Sequence, residues 1–308
     1  MIEKQDIFPI AIGTFGLGAD RFETWSDENS VDVEKQENDL NALMYSYGRG
    51  QNYIDTSYIY AGGITMRFLK KFFDQIPRNK IFVSVKIENY IEKVSDIEEQ
   101  LDKYLALMGL DYADTILLHT PVVSKIPLET AYHEMQRLVD IGKSRYISIS
   151  NLSLEQLRFM VEECGIKPFS FEGLYNLECK INEDAGIIEY CRNNSILFIN
   201  YQPFRRNRTA NHNYPLLIEL AKKYSKTQNQ ILLNWMIKEK GLHPITKASS
   251  REDIDLNLDT LKFMIDANDM QKLNDFRSAD LDSLKVDWDN KGGIPVWKLA
   301  NQLEQVHG

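Results

Sequence analysis

The chain has 308 residues, 43% hydrophobic and 26% charged, a balance that supports a sizeable buried core in one large domain or two ordinary ones. A net charge of −9 argues against nucleic acid or an anionic membrane as the main partner, and no apolar run reaches the ~18 residues of a membrane span. Cys164, Cys179 and Cys191 lack metal-ligand spacing, and the start Met1-Ile2-Glu3-Lys4-Gln5-Asp6 is wrong for a secretory signal, so a reducing cytoplasm is the expected compartment.

Short β-like runs alternate with amphipathic segments along the whole chain, the order of repeated βα units around a parallel sheet. The predicted strands are 9–13, 52–55, 81–86, 115–119, 146–150, 170–174, 195–201 and 242–246. Several are apolar without alternation, as befits strands with helices outside and packed side chains inside. Helix starts are signalled by Ser95 three before Glu98, Ser153 before Gln156, Thr227 before Gln230 and Ser249 before Glu252, each in capping-box form. Ile97, Leu101, Tyr104, Leu105 and Met108 make one core stripe, and Leu128, Ala131, Met135 and Leu138 another. Gly142 and Gly241 stand where helices should end. No repeat or linker divides the chain, so residues 1–308 are expected to form a single α/β domain, a (β/α)8 TIM barrel. Its least regular parts are the acidic stretch 19–39 and a tail over about 277–308 holding Trp288 and Trp297, expected to lie over the C-terminal rim.

The stretch Tyr53-Ile54-Asp55-Thr56-Ser57-Tyr58-Ile59-Tyr60-Ala61-Gly62-Gly63 runs a short apolar strand into a polar loop, with a phenol five residues after a carboxylate. Other predicted strands end in Lys86, in His119 and in Ser150-Asn151. Alone, each has an ordinary reading: Asp55 a turn residue, Lys86 a surface charge, His119 a hydrogen-bonded core histidine, Ser150-Asn151 a helix cap. In a closed barrel, however, these ends share one rim, which is where such barrels carry their active sites. His133, His212, His243 and His307 have no carboxylate or thiol at ligand spacing, so no metal site is expected. Gly13-Thr14-Phe15-Gly16-Leu17-Gly18 only partly imitates a dinucleotide fingerprint, because no helix follows at once.

With these residues in this order, the chain resembles the aldo-keto reductase superfamily over nearly its whole length. The resemblance is carried by Ile12-Gly13-Thr14-Phe15-Gly16, by Asp55 with Tyr60, by Val85-Lys86, and by Met108-Gly109-Leu110-Asp111-Tyr112 leading to Leu117-Leu118-His119. It continues through Ser150-Asn151, Tyr175-Asn176, Tyr201 with Pro203, and Lys247 ten residues before Asn257. It implies hydride transfer between a nicotinamide cofactor and an aldehyde, ketone or sugar carbonyl, or the reverse from an alcohol. Tyr60 would then be the acid–base group, its pKa drawn down by Lys86, with Asp55 holding Lys86 and His119 orienting the carbonyl. Tyr58 is the competing phenol. Gly13, Thr14 and Phe15 would lie beside the cofactor, Ser150 and Asn151 would hold the carboxamide, and Tyr201 would stack on the ring. Glu172 stands where the family usually has glutamine, and Ala248 and Asp253 where NADP-binding members have serine and arginine. Lys247, Arg251 and the cluster Arg205, Arg206 and Arg208 favour NADP(H), whereas Asp253 favours NAD(H); the expectation is NADP(H), with NAD(H) the alternative. The alternative to an enzyme is a nucleotide-binding regulatory or scaffold protein on the same barrel. Oligomeric state is not legible in the pattern.

Overall fold

The computed structural model describes residues 1–19, 32–88, 90–121, 125–247 and 249–277. Residues 20–31 of the acidic stretch, Ala248, and the tail with Trp288 and Trp297 lie outside the described residues. Among the described residues there are nine parallel strands: β1 (Ala11–Gly13), β2 (Tyr53–Ser57), β3 (Phe82–Ile87), β4 (Ala113–Leu118), β5 (Ser144–Ile147), β6 (Ile149–Ser150), β7 (Ser170–Leu174), β8 (Leu197–Tyr201) and β9 (His243–Thr246). They pair in the order β5-β4-β3-β2-β1-β9-β8-β7-β6. β5 and β6 are halves of one strand interrupted at Ser148. The Ser148 N–H donates to the Ile116 carbonyl at 2.9 Å and the Phe169 N–H to the Ile147 carbonyl at 2.7 Å, so the ladder passes from β4 to β7 and the barrel closes.

The helices α1 (Val33–Gly48), α2 (Ile64–Phe73), α3 (Ser95–Met108), α4 (Leu128–Asp140), α5 (Leu154–Arg158), α6 (Ile181–Asp184), α7 (Ile187–Asn193), α8 (Arg208–Asn211), α9 (Pro215–Tyr224), α10 (Gln228–Asn234), α11 (Arg251–Asp259) and α12 (Ala267–Asp275) alternate with these strands. Capping boxes form at Ser153–Gln156 and Thr227–Gln230 as the pattern predicts. Two starts differ. Before α3 it is the Asp96 carboxylate, a stronger acceptor than a hydroxyl, that takes the N–H groups of Glu92 and Lys93 at 2.8 and 3.0 Å, and Ser95 caps nothing. At α11 the capping side chain is Ser250, one residue later than predicted, and it accepts from the Asp253 N–H at 3.1 Å. β1 begins after Pro9, which has no N–H to give a ladder, and β8 begins after Ser195, whose φ of +55° belongs to the turn.

Alternation along each strand sorts the two faces of the barrel wall. Val83, Val85 and Ile87 of β3 face outward into a continuous core with Phe68, Leu69 and Phe72 of α2 and Leu101 and Tyr104 of α3. Burying each such side chain stabilises the fold by about 1.5–3 kcal/mol. Inside, Tyr53, Phe82 and Phe169 stack at the base, with centroids 5.1 and 4.5 Å apart, and Ile2 and Ile7 pack against them. Thr115, Ser148 and Ser170 form a hydroxyl chain at 2.7 and 2.8 Å. The interior thus changes from aromatic at the base to hydroxyl in the middle, and the charged side chains sit towards the C-terminal strand ends.

Candidate active site

β2 and β3 lie in register with Asp55 opposite Ser84 and Ser57 opposite Lys86. Alternation therefore sends Tyr53, Asp55 and Ser57 to one face of β2, and Ser84 and Lys86, with Glu88 just beyond the strand, to the matching face of β3. The Lys86 ammonium lies 2.9 Å from Asp55 Oδ1, 2.6 Å from Glu172 Oε1 and 3.1 Å from Tyr60 Oη. Its three N–H groups thus meet three partners. Lys86, Asp55 and Glu172 are each no more than 3% exposed, so removing the lysine would strand two buried carboxylates at a cost of about 3–5 kcal/mol.

Tyr60 reaches this cluster because the chain turns sharply after β2. Ala61, Gly62 and Gly63 all have positive φ, at +55°, +60° and +90°. A Cβ on Gly63 would stand 2.6 Å from the Tyr58 ring, so only glycine fits there. The same turn separates the two candidate phenols. Tyr58 stacks on Tyr104 of α3 at 5.1 Å beneath the Lys103 ammonium, while the Tyr60 hydroxyl points to Lys86 and, at 3.4 Å, to Asp55.

The electrostatics differ from the expectation in one respect. Burial and the Asp55 charge raise the Tyr60 phenol; Lys86 lowers it, and Glu172 adds to the rise, so its net shift is upward. One ammonium does not offset burial plus two carboxylates. Burial alone would lower Lys86, but Asp55, Glu172 and Tyr60 outweigh it and hold the ammonium well above the usual lysine range. Glu172 is pushed up to about 7 by burial and by Asp55, against the pull of Lys86.

His119 lies across the same mouth, its ring centroid 6.4 Å from that of Tyr60. Its Nδ1 is 3.0 Å from Glu88 Oε2, and the other oxygen of Glu88 accepts from the Ser57 hydroxyl. Glu88 was not among the residues singled out from the sequence, because the predicted strand stopped at Lys86. The available signal is its place two residues beyond Lys86, hence on the same inward face.

Several residues expected at the cofactor gather at this rim. Ser150 Oγ donates to the Leu118 carbonyl at 2.5 Å and lies 3.2 Å from the His119 carbonyl, Asn151 Nδ2 donates to the His119 carbonyl at 3.0 Å, and the Tyr201 hydroxyl donates to Asn151 Oδ1 at 2.9 Å. Thr14 is tied to the Asp55 carbonyl by its N–H at 3.3 Å and its hydroxyl at 2.8 Å. Phe15 sets its ring edge-on to Tyr60 at 5.2 Å, with the Arg206 guanidinium 5.1 Å above it. At Gly13 a Cβ would stand 2.7 Å from Ile245 Cγ2, so the glycine permits β1 and β9 to pack closely. Pro203 is buried in the turn after β8.

Other expected residues lie elsewhere. Arg205 turns inward and pairs with buried Glu178 at 2.9 Å; Thr209 and Tyr214 also donate to that carboxylate, at 2.7 and 2.8 Å. This ion pair holds the Arg205 guanidinium against the core. Beyond β9, Lys247 is largely buried, which lowers its ammonium despite Asp39, and Asn257 of α11 lines a cleft with Ile12, Gly13, Asp39 and Thr246. Arg251 and Asp253 are exposed on α11. The Arg251 guanidinium lies 5.2 Å from the Tyr45 ring centroid, and Asp253 accepts from the Ser250 hydroxyl at 2.8 Å.

A nicotinamide cofactor fits this arrangement on one structural ground: Glu172 Oε2 is fully buried with no hydrogen-bond partner among the described residues, and a carboxamide N–H supplies the missing donor.

Comparison with known proteins agrees with this geometry. The model of the aldo/keto reductase family matches residues 9–278. The NADPH-dependent alpha-keto amide reductase of Saccharomyces cerevisiae is 30% identical over 227 residues, covering 70% of this chain and 72% of its own. The aldo-keto reductase AKR2E4 of Bombyx mori is 27% identical, covering 89% and 91%. Among solved structures, the thermostable aldo-keto reductase Tm1743 in complex with the inhibitor epalrestat superposes with a TM-score of 0.77 at 27% identity, covering 87% of this chain and 94% of its own. The match spans the barrel from β1 through α12, and the chain belongs to the aldo/keto reductase family of oxidoreductases.

Proposed function

We propose that this protein transfers hydride between NADP(H) and an aldehyde, ketone or sugar carbonyl, with Tyr60 as the acid–base group. The observation that carries the reading is the Tyr60 hydroxyl held 3.1 Å from the buried Lys86 ammonium, itself fixed by Asp55. When bound, the reduced cofactor supplies the hydride. Tyr60 gives its proton to the carbonyl oxygen as charge develops there, and the Lys86 ammonium stabilises the phenolate left behind. His119 has Nδ1 engaged by Glu88, which leaves Nε2 to meet the carbonyl. Glu172, Asn151 and Ser150 would hold the carboxamide, Tyr201 would flank the ring, and Lys247 with Asn257 would serve the adenosine half. The name of the yeast relative supports NADP(H), and the carboxylate of Asp253 keeps NAD(H) as the second cofactor to test.

The test is spectrophotometric: purified protein with NADPH or NADH and a panel of aldehydes, ketones and sugars. Tyr60→Phe should lower kcat by about 10²–10⁴-fold, the usual contribution of a positioned proton donor. Undiminished turnover in that variant would refute the role of Tyr60. Tight nucleotide binding with no turnover across the panel would refute the enzyme reading in favour of a nucleotide-binding scaffold.

A further inference from the structure

Glu88 is 1% exposed, yet its carboxylate is fully engaged. One oxygen accepts from the Ser57 hydroxyl and the other lies 3.0 Å from His119 Nδ1, while its backbone N–H donates at 2.8 Å to Gln100 Oε1 of α3. Burial alone would raise this carboxyl. The Ser57 hydroxyl it accepts and the Lys86 ammonium both favour its ionised, acceptor-only form whatever the state of His119, and with His119 they outweigh burial and hold it below the usual carboxylate range. The Ser57 proton is already committed to Glu88, and Ser57 Oγ, 3.5 Å from Nδ1, offers no donor in its place. Nδ1 therefore carries a proton. A neutral imidazole protonated at Nδ1 presents a bare Nε2, which has no hydrogen to give a carbonyl oxygen.

We propose that Glu88 is the positioning residue of His119: it obliges Nδ1 to carry a proton, so that His119 polarises a substrate carbonyl through Nε2–H only as the imidazolium ion. This rests on the reading above that His119 faces the carbonyl. The titratable and charged groups around the ring come from the elements packed beside it: Asp55 of β2, Tyr60 of the turn after it, Lys86 of β3 with Glu88 beyond it, and Glu172 of β7, and Ser57 of β2 is a hydroxyl neighbour. Ser150 and Asn151 hold the His119 carbonyl.

The experiment combines imidazole ¹⁵N NMR of the full chain, with His119 assigned by its loss in His119→Asn, and the pH profile of aldehyde reduction. In the native protein Nδ1 should carry a proton at neutral pH, and kcat/KM should follow the presence of the Nε2 proton. Glu88→Gln places an amide N–H within reach of Nδ1, which permits the neutral Nε2–H tautomer. In that variant the tautomer should switch, kcat/KM at pH 6 should fall about ten-fold, and the same limb of the profile should flatten. Ser57→Ala keeps the carboxylate and should keep the native tautomer, which controls for general loosening of the site. A bare Nδ1 in the native protein, or the same tautomer and the same limb in Glu88→Gln, would overturn the proposal. Should the tautomers behave as stated while no carbonyl is reduced, the reductase reading falls and the positioning of the ring by Glu88 stands.

Discussion

Glu172 is the residue whose replacement says most about how this site works. The ammonium of Lys86 at 3.1 Å and the carboxylate of Asp55 at 3.4 Å act on the Tyr60 hydroxyl with opposite sign, each by about 5 kcal/mol at an effective dielectric of ~20. They nearly cancel, so burial and the third charge, Glu172, leave the phenol raised. Glu172 Oε1 lies 2.6 Å from Lys86 Nζ, so it is no more than about 5.7 Å from the phenol, and its ionised form disfavours the phenolate by about 3 kcal/mol at the same dielectric. Glu172→Gln removes that charge with little change of shape. Alcohol oxidation, which needs the phenolate, should then rise up to about a hundred-fold at pH 9. Aldehyde reduction at pH 6 should change little, because a carboxyl pushed up to about 7 is already mostly protonated there. Stability follows the same titration. The folded-state value lies above the ordinary 4.5, so the contribution of Glu172 is fully present below about 4.5 and lost as pH rises through about 7. The native protein should thus lose up to about 3 kcal/mol between pH 4.5 and 8 that the variant keeps. The assays are pH profiles of kcat/KM in both directions and denaturant melts at the two pH values. Oxidation at pH 9 that does not rise, or reduction at pH 6 that collapses, would refute the charge argument.

Two further substitutions separate structural from cofactor roles. Arg205→Ala leaves the buried Glu178 without its cation and should destabilise the fold by about 3–5 kcal/mol in denaturant melts, while NADPH affinity of the folded fraction stays within about three-fold; a large selective loss of NADPH binding would return Arg205 to the phosphate. Asp253→Arg removes an exposed carboxylate from the first turn of α11 and adds a bidentate donor, so parallel fluorescence titrations should show the preference for NADPH over NADH rising about ten-fold. An unchanged ratio would place the adenosine end away from α11.

Much of the architecture was legible because it depends on local pattern. Apolar runs at βα spacing, glycines at helix ends and polar strand ends are properties of neighbouring residues, and they led to a barrel with Asp55, Tyr60, Lys86 and His119 on one rim, as found. The strand split at Ser148 was not legible, because only the pairing of Ile147 and Ser148 with opposite neighbours divides β5 from β6. Side-chain partners were the least visible. Nothing in the order of residues told that Glu172 would share the ammonium with Asp55, that Glu88 would take the histidine, or that Arg205 would turn to Glu178. Those choices join strands and loops far apart in sequence, and each is set by which charges are buried together. Strand ends follow from spacing along one chain; the ionisation of Tyr60 follows from burial and three charges that meet only when the barrel closes.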